Sequence, residues 1–434
     1  MKENSNLIIN NPRKLEGTIS VPGDKSITHR AIMLGALSDG EIKISNGLLS
    51  EDCMRTLVAF RELGINIQID NNIITISGKG LNGLSEAKSQ INAGNSGTMA
   101  RLLSGILSTQ HFNSSMSGDE SLITRPMGRI IEPLESFGAL IQSKDQRLPM
   151  SFKSSDIMKP IKYHSPIPSA QVKSSLILAA LHIEGESIIS EDVRTRDHTE
   201  RLLKYMEYPI LVDKETITLK GCKNIIAKDI EVPSDISSAA FFIVAALIIK
   251  GSDITLTNIG VNPLRTGLID ILLKMGANIK LTNCRIICNE PVADIKVKHS
   301  QLKPNNISGN IISRLIDELP ILFIACATCN GISLIEDIHE LRYKESERIE
   351  AMENGLKKLG ITIFSTENSM KITGGAFSGG IIDSYGDHRI AMSFLIAGLV
   401  SSKPITVLNT SNINTSFPNF EDILRNQNID IYMV

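Results

Sequence analysis

Arginine and lysine recur beside serine, threonine and glycine at matching places along this chain. Arg30, Arg101 and Arg389 fall within about a turn of stretches that read as helix starts, namely Asp24-Lys25-Ser26, Asn95-Ser96-Gly97-Thr98 and Gly386-Asp387-His388. Arg125, Arg194, Arg196, Arg342 and Arg348 lie in segments that lead into a second set of helices. A guanidinium presents a planar fork of donors suited to phosphate or carboxylate. A helix start adds free N–H groups and the positive end of the dipole. The starts around Lys25-Ser26, Asn95-Thr98 and Ser169-Gln171 carry no acid in their first turn. One such Arg alone reads as a solvated loop residue; the repeated placement is what argues for binding anions. His198 and His388 stand beside Asp197 and Asp387. Either could act as a base, although a hydrogen-bonded structural histidine is the default.

Other chemistries lack support. No GxxxxGK[ST], HExxH or GxSxG occurs. Gly374-Gly375…Gly379-Gly380 does not fit GxGxxG and reads as a hairpin or loop. Cys326-Ala-Thr-Cys329 lies in an apolar run from Leu319 with no second CxxC or His pair, so a buried helix explains it better than a metal or redox site. The 434 residues hold 45 Lys and Arg against 47 Asp and Glu, a net charge of −2, which gives no global case for nucleic acid or a membrane surface. Aromatic residues make up 4 % and Trp is absent, which disfavours stacking grooves and aromatic cages. The longest apolar run, Ala239 to Ile249, is too short to span a bilayer and reads as a buried helix. Residues Met1 to Asn11 show neither a long apolar stretch nor a transit-like pattern, so the six cysteines are expected to be reduced in a cytoplasmic protein.

The elements that would hold these residues repeat. Polar starts at residues 24, 95, 169, 233, 316 and 386 each lead into an apolar, small-residue helix. Alternating strands follow, among them Glu41–Ile44, Glu186–Ile189, Asp253–Leu256 and Pro404–Val407. A second, amphipathic helix comes next, in the windows Arg55–Gly64, Arg129–Gly138, Arg201–Met206, Thr266–Gly276, Arg348–Gly360 and Phe420–Leu424. Apolar residues at i, i+3, i+4 and i+7 with a following Gly mark most of these copies. Strands such as Ile65–Ile69 and Ala277–Leu281 close the unit, and in the third copy Tyr208-Pro209 replaces the Gly turn. Six units suit two pseudo-symmetric halves of three. Chemistry and pattern alone thus reach a two-domain α/β enzyme for multiply anionic small molecules, without metal or nucleotide.

At these same residues the chain resembles the 5-enolpyruvylshikimate-3-phosphate synthase family. The likeness runs from Val21-Pro-Gly-Asp-Lys-Ser-Ile-Thr-His-Arg30 to Ser416-Phe-Pro418. Its most specific stretches are Asn95-Ser-Gly-Thr-Met-Ala-Arg101, Thr124-Arg-Pro-Met-Gly128, Ser169-Ala-Gln-Val-Lys-Ser174, Thr195-Arg-Asp-His-Thr199, Leu341-Arg-Tyr-Lys-Glu-Ser-Glu-Arg348 and Asp387-His-Arg-Ile-Ala391. The Ser-Ala-Gln and Thr-Arg-Asp-His-Thr variants look like the bacterial branch called class II. The resemblance implies an α/β fold of two pseudo-symmetric domains, each of three βαβαββ-type units, the inverse α/β barrel. Residues 1–20 with 231–434 would form one domain and 21–230 the other, with the active site in the cleft between them.

The implied reaction transfers the enolpyruvyl group of phosphoenolpyruvate to the 5-hydroxyl of shikimate 3-phosphate, in chorismate and aromatic amino acid biosynthesis. Carried over by motif, Lys25, Ser26, Arg30, Ser169, Ala170, Gln171, Arg196, Asp317 and Lys344 would contact shikimate 3-phosphate. Lys25, Gly97, Arg125, Gln171, Arg348 and Arg389 would contact phosphoenolpyruvate. Asp317 would be the base on the 5-hydroxyl and Glu345 the acid/base at the methylene carbon, with Lys25 a third catalytic group. The resemblance implies no cofactor, no metal, no nucleic-acid or membrane partner, and a monomer. Departures are Thr415 where well-known members carry Lys, Glu340 where Asn is common, and Glu347 in place of Asp. Three other readings compete: the sister enolpyruvyl transferase acting on UDP-N-acetylglucosamine, a non-catalytic anion-binding protein, and an RNA-end-processing enzyme of related fold. The first usually carries a reactive loop Cys, and neither Cys53 nor Cys222 lies in such a motif. Asp317, Glu345 and Arg348 argue against the second, and the low basic excess and few aromatics against the third.

Overall fold

The computed structural model describes residues 5–10 and 14–434. Its chain divides into two units: one gathers the described residues up to Pro22 with Pro233–Arg285 and Pro291–Val434, the other Gly23–Val232 with Ile286–Glu290. The short segment 286–290 groups with the second unit because Glu290 is buried against His198, and Arg201 donates to the carbonyl of Asn289 at 2.8 Å.

Each unit holds three four-stranded sheets with one strand order repeated. The clearest copy in the second unit runs Ile91–Asn92, helix Gly97–Leu107, Ser114–Ser117, helix Gly128–Ser136, Leu140–Lys144 and Arg147–Lys153, which is βαβαββ. The first strand pairs parallel to the second (Ile91 with Met116), and the last inserts antiparallel between the second and third. Lys162–Ser165 opens the next copy in the same way, parallel to Glu186–Glu191. The remaining sheet of this unit takes its first strand from far along the chain: Ile230–Glu231 lies parallel to Asp39–Ser45, with Ile230 opposite Ile44.

In the other unit, Glu16–Ile19 plays that role beside Asp253–Gly260, with Asp253 opposite Glu16. Leu7–Asn10 takes the place of the last strand in the sheet of Ile405–Leu408 and Asp430–Met433. These two N-terminal strands explain why one unit is discontinuous in sequence.

The first helix of each copy is apolar on nearly every face and is buried accordingly. In Ile236–Ile248 every residue from Ile236 to Leu247 is buried, and the same holds throughout Leu319–Ala327. Each unit packs three such helices within a core of Ile, Leu, Val and Ala, with few aromatic rings. The second helices bury one stripe only, as in Glu51–Glu62 and His198–Tyr205.

Boundaries differ from the sequence reading where caps decide them. The first amphipathic helix starts at Glu51 rather than Arg55, because Ser50 takes extended geometry and Glu51 and Asp52 suit the positive helix end. The third starts at His198, and the missing Gly turn after it is supplied by Glu207 with φ of +58°. The helix from Leu319 ends at Ala327, leaving Cys329 just beyond it. Gly374 to Gly379 is a loop, as expected, between Ser369–Thr373 and Gly380–Asp383. No helix among the described residues is long and apolar enough to cross a membrane.

Candidate active site

The starts of the buried helices carry the polar residues that the sequence singled out. In the second unit, Asp24 caps Lys25–Leu37 by accepting from Ile27 N at 2.8 Å. Ser96 caps Gly97–Leu107 and Ser169 caps Ala170–Ala180 through Met99 N and Val172 N. The first of these starts thus has an acid at its cap, though none in its first turn. Lys25 pairs with Asp52 at 3.0 Å, both side chains mostly covered. Local positive potential shows in His29: burial, then Lys25 and Arg30, push its imidazole down to about 3, and its Nδ1 meets Thr56 Oγ1 at 2.7 Å.

Arg30 stands apart from the other expected anion binders. It is buried, and its three nitrogens donate to Thr199 Oγ1 (2.7 Å), Ser26 O (3.0 Å) and Ser174 Oγ (2.7 Å). Gln171 is held from both sides, accepting from Arg101 at 2.6 Å and donating to Thr98 Oγ1 at 3.2 Å. Arg125 donates to Asn95 Oδ1 at 2.6 Å and to Ser121 Oγ at 3.2 Å. Gly97 lies against this guanidinium: a Cβ there would come within 3.3 Å of Arg125 Nη1. Gly97, Arg101, Arg125 and Gln171 are therefore brought together, with Ser169 and Ala170 at the adjoining helix start. Arg196 is half-buried in the segment before His198–Tyr205.

The other unit assembles Asp317, Lys344, Glu345, Arg348 and Arg389. Asp317 precedes the helix Leu319–Ala327, whose Pro at the first turn has no N–H to lose. Arg348, first residue of Arg348–Lys358, is 1 % exposed. It donates from Nε to Asp387 Oδ2 at 2.8 Å and from Nη2 to Glu345 Oε2 at 2.6 Å. Its Nη1 is buried without a hydrogen-bond partner, 3.8 Å from Asp317 Oδ1. Lys344 Nζ reaches the same oxygen at 3.4 Å, and Arg389 Nη1 donates to the Asp317 carbonyl at 2.9 Å. Burial alone would lower the Arg348 guanidinium, but Asp387, Glu345 and Asp317 carry it above its ordinary value. Burial alone would raise Asp387, and Arg348 with His388 bring it below the usual carboxylate range.

Several residues in these networks escaped the sequence reading. Asp387 clamps Arg348 and caps Arg389 N at 2.8 Å. It stands in the Asp387-His-Arg stretch, and its signal is an acid at a helix cap two residues before Arg389. Asp52, Ser174 and Thr199 hold Lys25 and Arg30; Ser174 and Thr199 close two of the stretches that carry the resemblance but had no role read for them, and Asp52 lies outside every such stretch. His198 is structural, its Nδ1 2.7 Å from Glu290 Oε1 with both side chains buried. Thr415, where a cation was expected, is buried and donates to Asn412 O at 2.7 Å. Burial lifts the Cys326 thiol to about 12 and the Cys329 thiol to about 11, out of reach of thiolate chemistry. No group of three or more His, Cys, Asp or Glu side chains among the described residues could hold a metal ion.

The arrangement is a pair of networks built on helix starts, one rich in cations and one in which Lys344, Arg348 and Arg389 interleave with Asp317, Glu345 and Asp387. The second also holds two partly exposed carboxylates, Asp317 and Glu345, around a guanidinium whose Nη1 has no hydrogen-bond partner. Such a set can bind phosphate or carboxylate and move protons next to it.

Comparison with known proteins gives one answer. The family model for EPSP synthase (3-phosphoshikimate 1-carboxyvinyltransferase) matches residues 9–424. A 3-phosphoshikimate 1-carboxyvinyltransferase from Ruthia magnifica subsp. Calyptogena magnifica is 47 % identical over 432 residues, 99 % of each chain. One from Magnetococcus marinus is 46 % identical over 418 residues, 95 % of this chain and 94 % of that protein. A solved EPSP synthase structure from Acinetobacter baumannii shares 43 % identity, covers 99 % of this chain and 100 % of its own, and superposes with a TM-score of 0.89. With a full-length match in sequence and in fold, the chain belongs to the EPSP synthase family.

Proposed function

We infer that this chain is an enolpyruvyl transferase that moves the enolpyruvyl group of phosphoenolpyruvate to the 5-hydroxyl of shikimate 3-phosphate and releases phosphate, a step of aromatic amino acid biosynthesis. The observation that carries the residue-level reading is Arg348 Nη1, a buried guanidinium nitrogen without a hydrogen-bond partner beside Asp317. Buried donors are normally satisfied, and an incoming carboxylate or phosphate oxygen would satisfy this one.

Lys25, Ser26, Ser169, Ala170, Gln171, Arg196 and Lys344 bind shikimate 3-phosphate. Lys25, Gly97, Arg125, Gln171, Arg348 and Arg389 bind phosphoenolpyruvate. Arg30 binds shikimate 3-phosphate and also holds the Ser26 carbonyl at 3.0 Å. Asp317 takes the 5-hydroxyl proton as that oxygen bonds to C2, while Glu345 gives a proton to C3. The tetrahedral intermediate then loses phosphate, and Glu345 takes a proton back from C3 to restore the methylene. Lys344 Nζ lies 3.4 Å from the Asp317 carboxylate. The enzyme works as a cytoplasmic monomer without cofactor or metal.

The test is phosphate release from phosphoenolpyruvate with either shikimate 3-phosphate or UDP-N-acetylglucosamine as acceptor. Turnover with the first is expected. Turnover only with the nucleotide sugar would overturn the reading.

A further inference from the structure

The helix Ala170–Ala180 buries a lysine among apolar and small residues. Lys173 is 3 % exposed, and its Nζ has three acceptors: Glu191 Oε1 at 2.8 Å, Glu200 Oε1 at 2.9 Å and the Thr195 carbonyl at 3.1 Å. Glu191 also accepts from Thr195 N at 2.8 Å and from Thr195 Oγ1 at 2.7 Å. Burial alone would depress the Lys173 amine, but Glu200 and Glu191 carry it above its ordinary value, so it stays charged.

A buried ion cluster is a poor source of stability, since apolar side chains of similar volume often serve as well or better. What it supplies is a fixed geometry, and the segment it fixes is informative. Thr195 sits between Arg194 and Arg196. Glu200 lies on the helix His198–Tyr205 beside Thr199, whose hydroxyl accepts from Arg30 and donates to Ser174 at 2.8 Å. Residues 173 and 174 thus grip the Arg196 segment, the helix after it and Arg30. The same helix opens with Ser169, Ala170 and Gln171.

We propose that Lys173 is a positioning residue for shikimate 3-phosphate: it locks the segment carrying Arg196 to the helix start at Ser169–Gln171, setting the spacing of the groups that receive the phosphate. This rests on the functional reading above, which assigns those groups to that substrate. Truncating Lys173 removes the shared partner of two buried carboxylates, and the Thr195 carbonyl loses its clamp.

The experiment compares steady-state kinetics of the full chain with those of Lys173→Met, Thr195→Val and Thr195→Ser. Lys173→Met should raise KM for shikimate 3-phosphate about tenfold or more, as a displaced binding group does. KM for phosphoenolpyruvate should stay within about threefold. Thr195→Val should shift the same constant in the same direction by less, and Thr195→Ser should restore it. The Thr195 pair decides the matter if Lys173→Met fails to fold. Equal rises in both KM values, or loss of thermal stability with unchanged KM, would overturn the proposal. Wild-type enzyme that does not turn over shikimate 3-phosphate would instead overturn the functional reading, and this inference with it.

Discussion

Arg348 Nε lies 2.8 Å from Asp387 Oδ2, and the two side chains are 1 % and 0 % exposed. Removing one partner of such a pair leaves an uncompensated buried charge, which costs on the order of 3–5 kcal/mol. Asp387→Ala is therefore expected to lower the urea midpoint sharply and to abolish turnover, because Arg348 loses the group that orients it. The pH dependence follows from the lowered Asp387 carboxyl. Its folded pKa lies below the unfolded value of about 3.9, so its contribution is present above that pH and is lost as pH falls through the folded value. The stability gap between wild type and variant should be constant near neutrality and shrink below about pH 4. A gap that does not change down to pH 3 would refute this.

Asp317 and Glu345 flank the same guanidinium but are partly open, with side chains 15 % and 27 % exposed. Asp317→Ala and Glu345→Ala should each lower kcat by about 10²–10⁴-fold, the usual worth of a positioned acid or base. Substrate dissociation constants should change only a few-fold, since Asp387 still fixes Arg348 when Glu345 is gone. Equal losses in binding and turnover would assign both residues structural roles.

Much of this was legible in the chain before folding. The apolar helices were visible because a helix buried on all sides must be apolar on all sides, as Ile236–Ile248 is. The arginines at helix starts were visible because one chemistry recurs at one place in each repeat. Pairing partners were not. Glu16–Ile19 and Ile230–Glu231 complete sheets whose other strands lie far along the chain, and no local pattern announces that. The same holds for the residues that hold the site: Ser174 and Thr199 reach Arg30 across 144 and 169 positions of sequence. Arg30 suits a substrate contact by type and spacing, but its bonds to Thr199 and Ser174 could not be read from its own surroundings in the sequence.

Gly97 bears on substrate size. An added Cβ would stand 3.3 Å from Arg125 Nη1 and 3.7 Å from Arg101 Nη1. Arg125 is tied to Asn95 and Ser121, so it can yield only by giving up those bonds. Gly97→Ala should raise KM for phosphoenolpyruvate roughly tenfold, within the range one methyl group is worth in a fitted site. KM for shikimate 3-phosphate should move less. A larger effect on shikimate 3-phosphate would mean that Gly97 faces the other substrate.

Gly105 sets the approach of two buried helices. A Cβ there would fall 2.1 Å from the Ser175 carbonyl oxygen and 2.8 Å from its carbon, and a helix backbone cannot move aside as a side chain can. Gly105→Ala must separate Gly97–Leu107 from Ala170–Ala180, at a cost of about 1–3 kcal/mol for overpacking. Those helices also carry Arg101 and Gln171, joined at 2.6 Å, so the strain reaches the site. Gly276 is the control: its φ is +91° and a Cβ would meet nothing within 4 Å, so Gly276→Ala brings backbone strain alone. Both variants should melt earlier than wild type, while only Gly105→Ala should raise the KM values. If Gly276→Ala raises them equally, lost stability rather than helix spacing governs binding, and the close approach at Gly105 serves only the core.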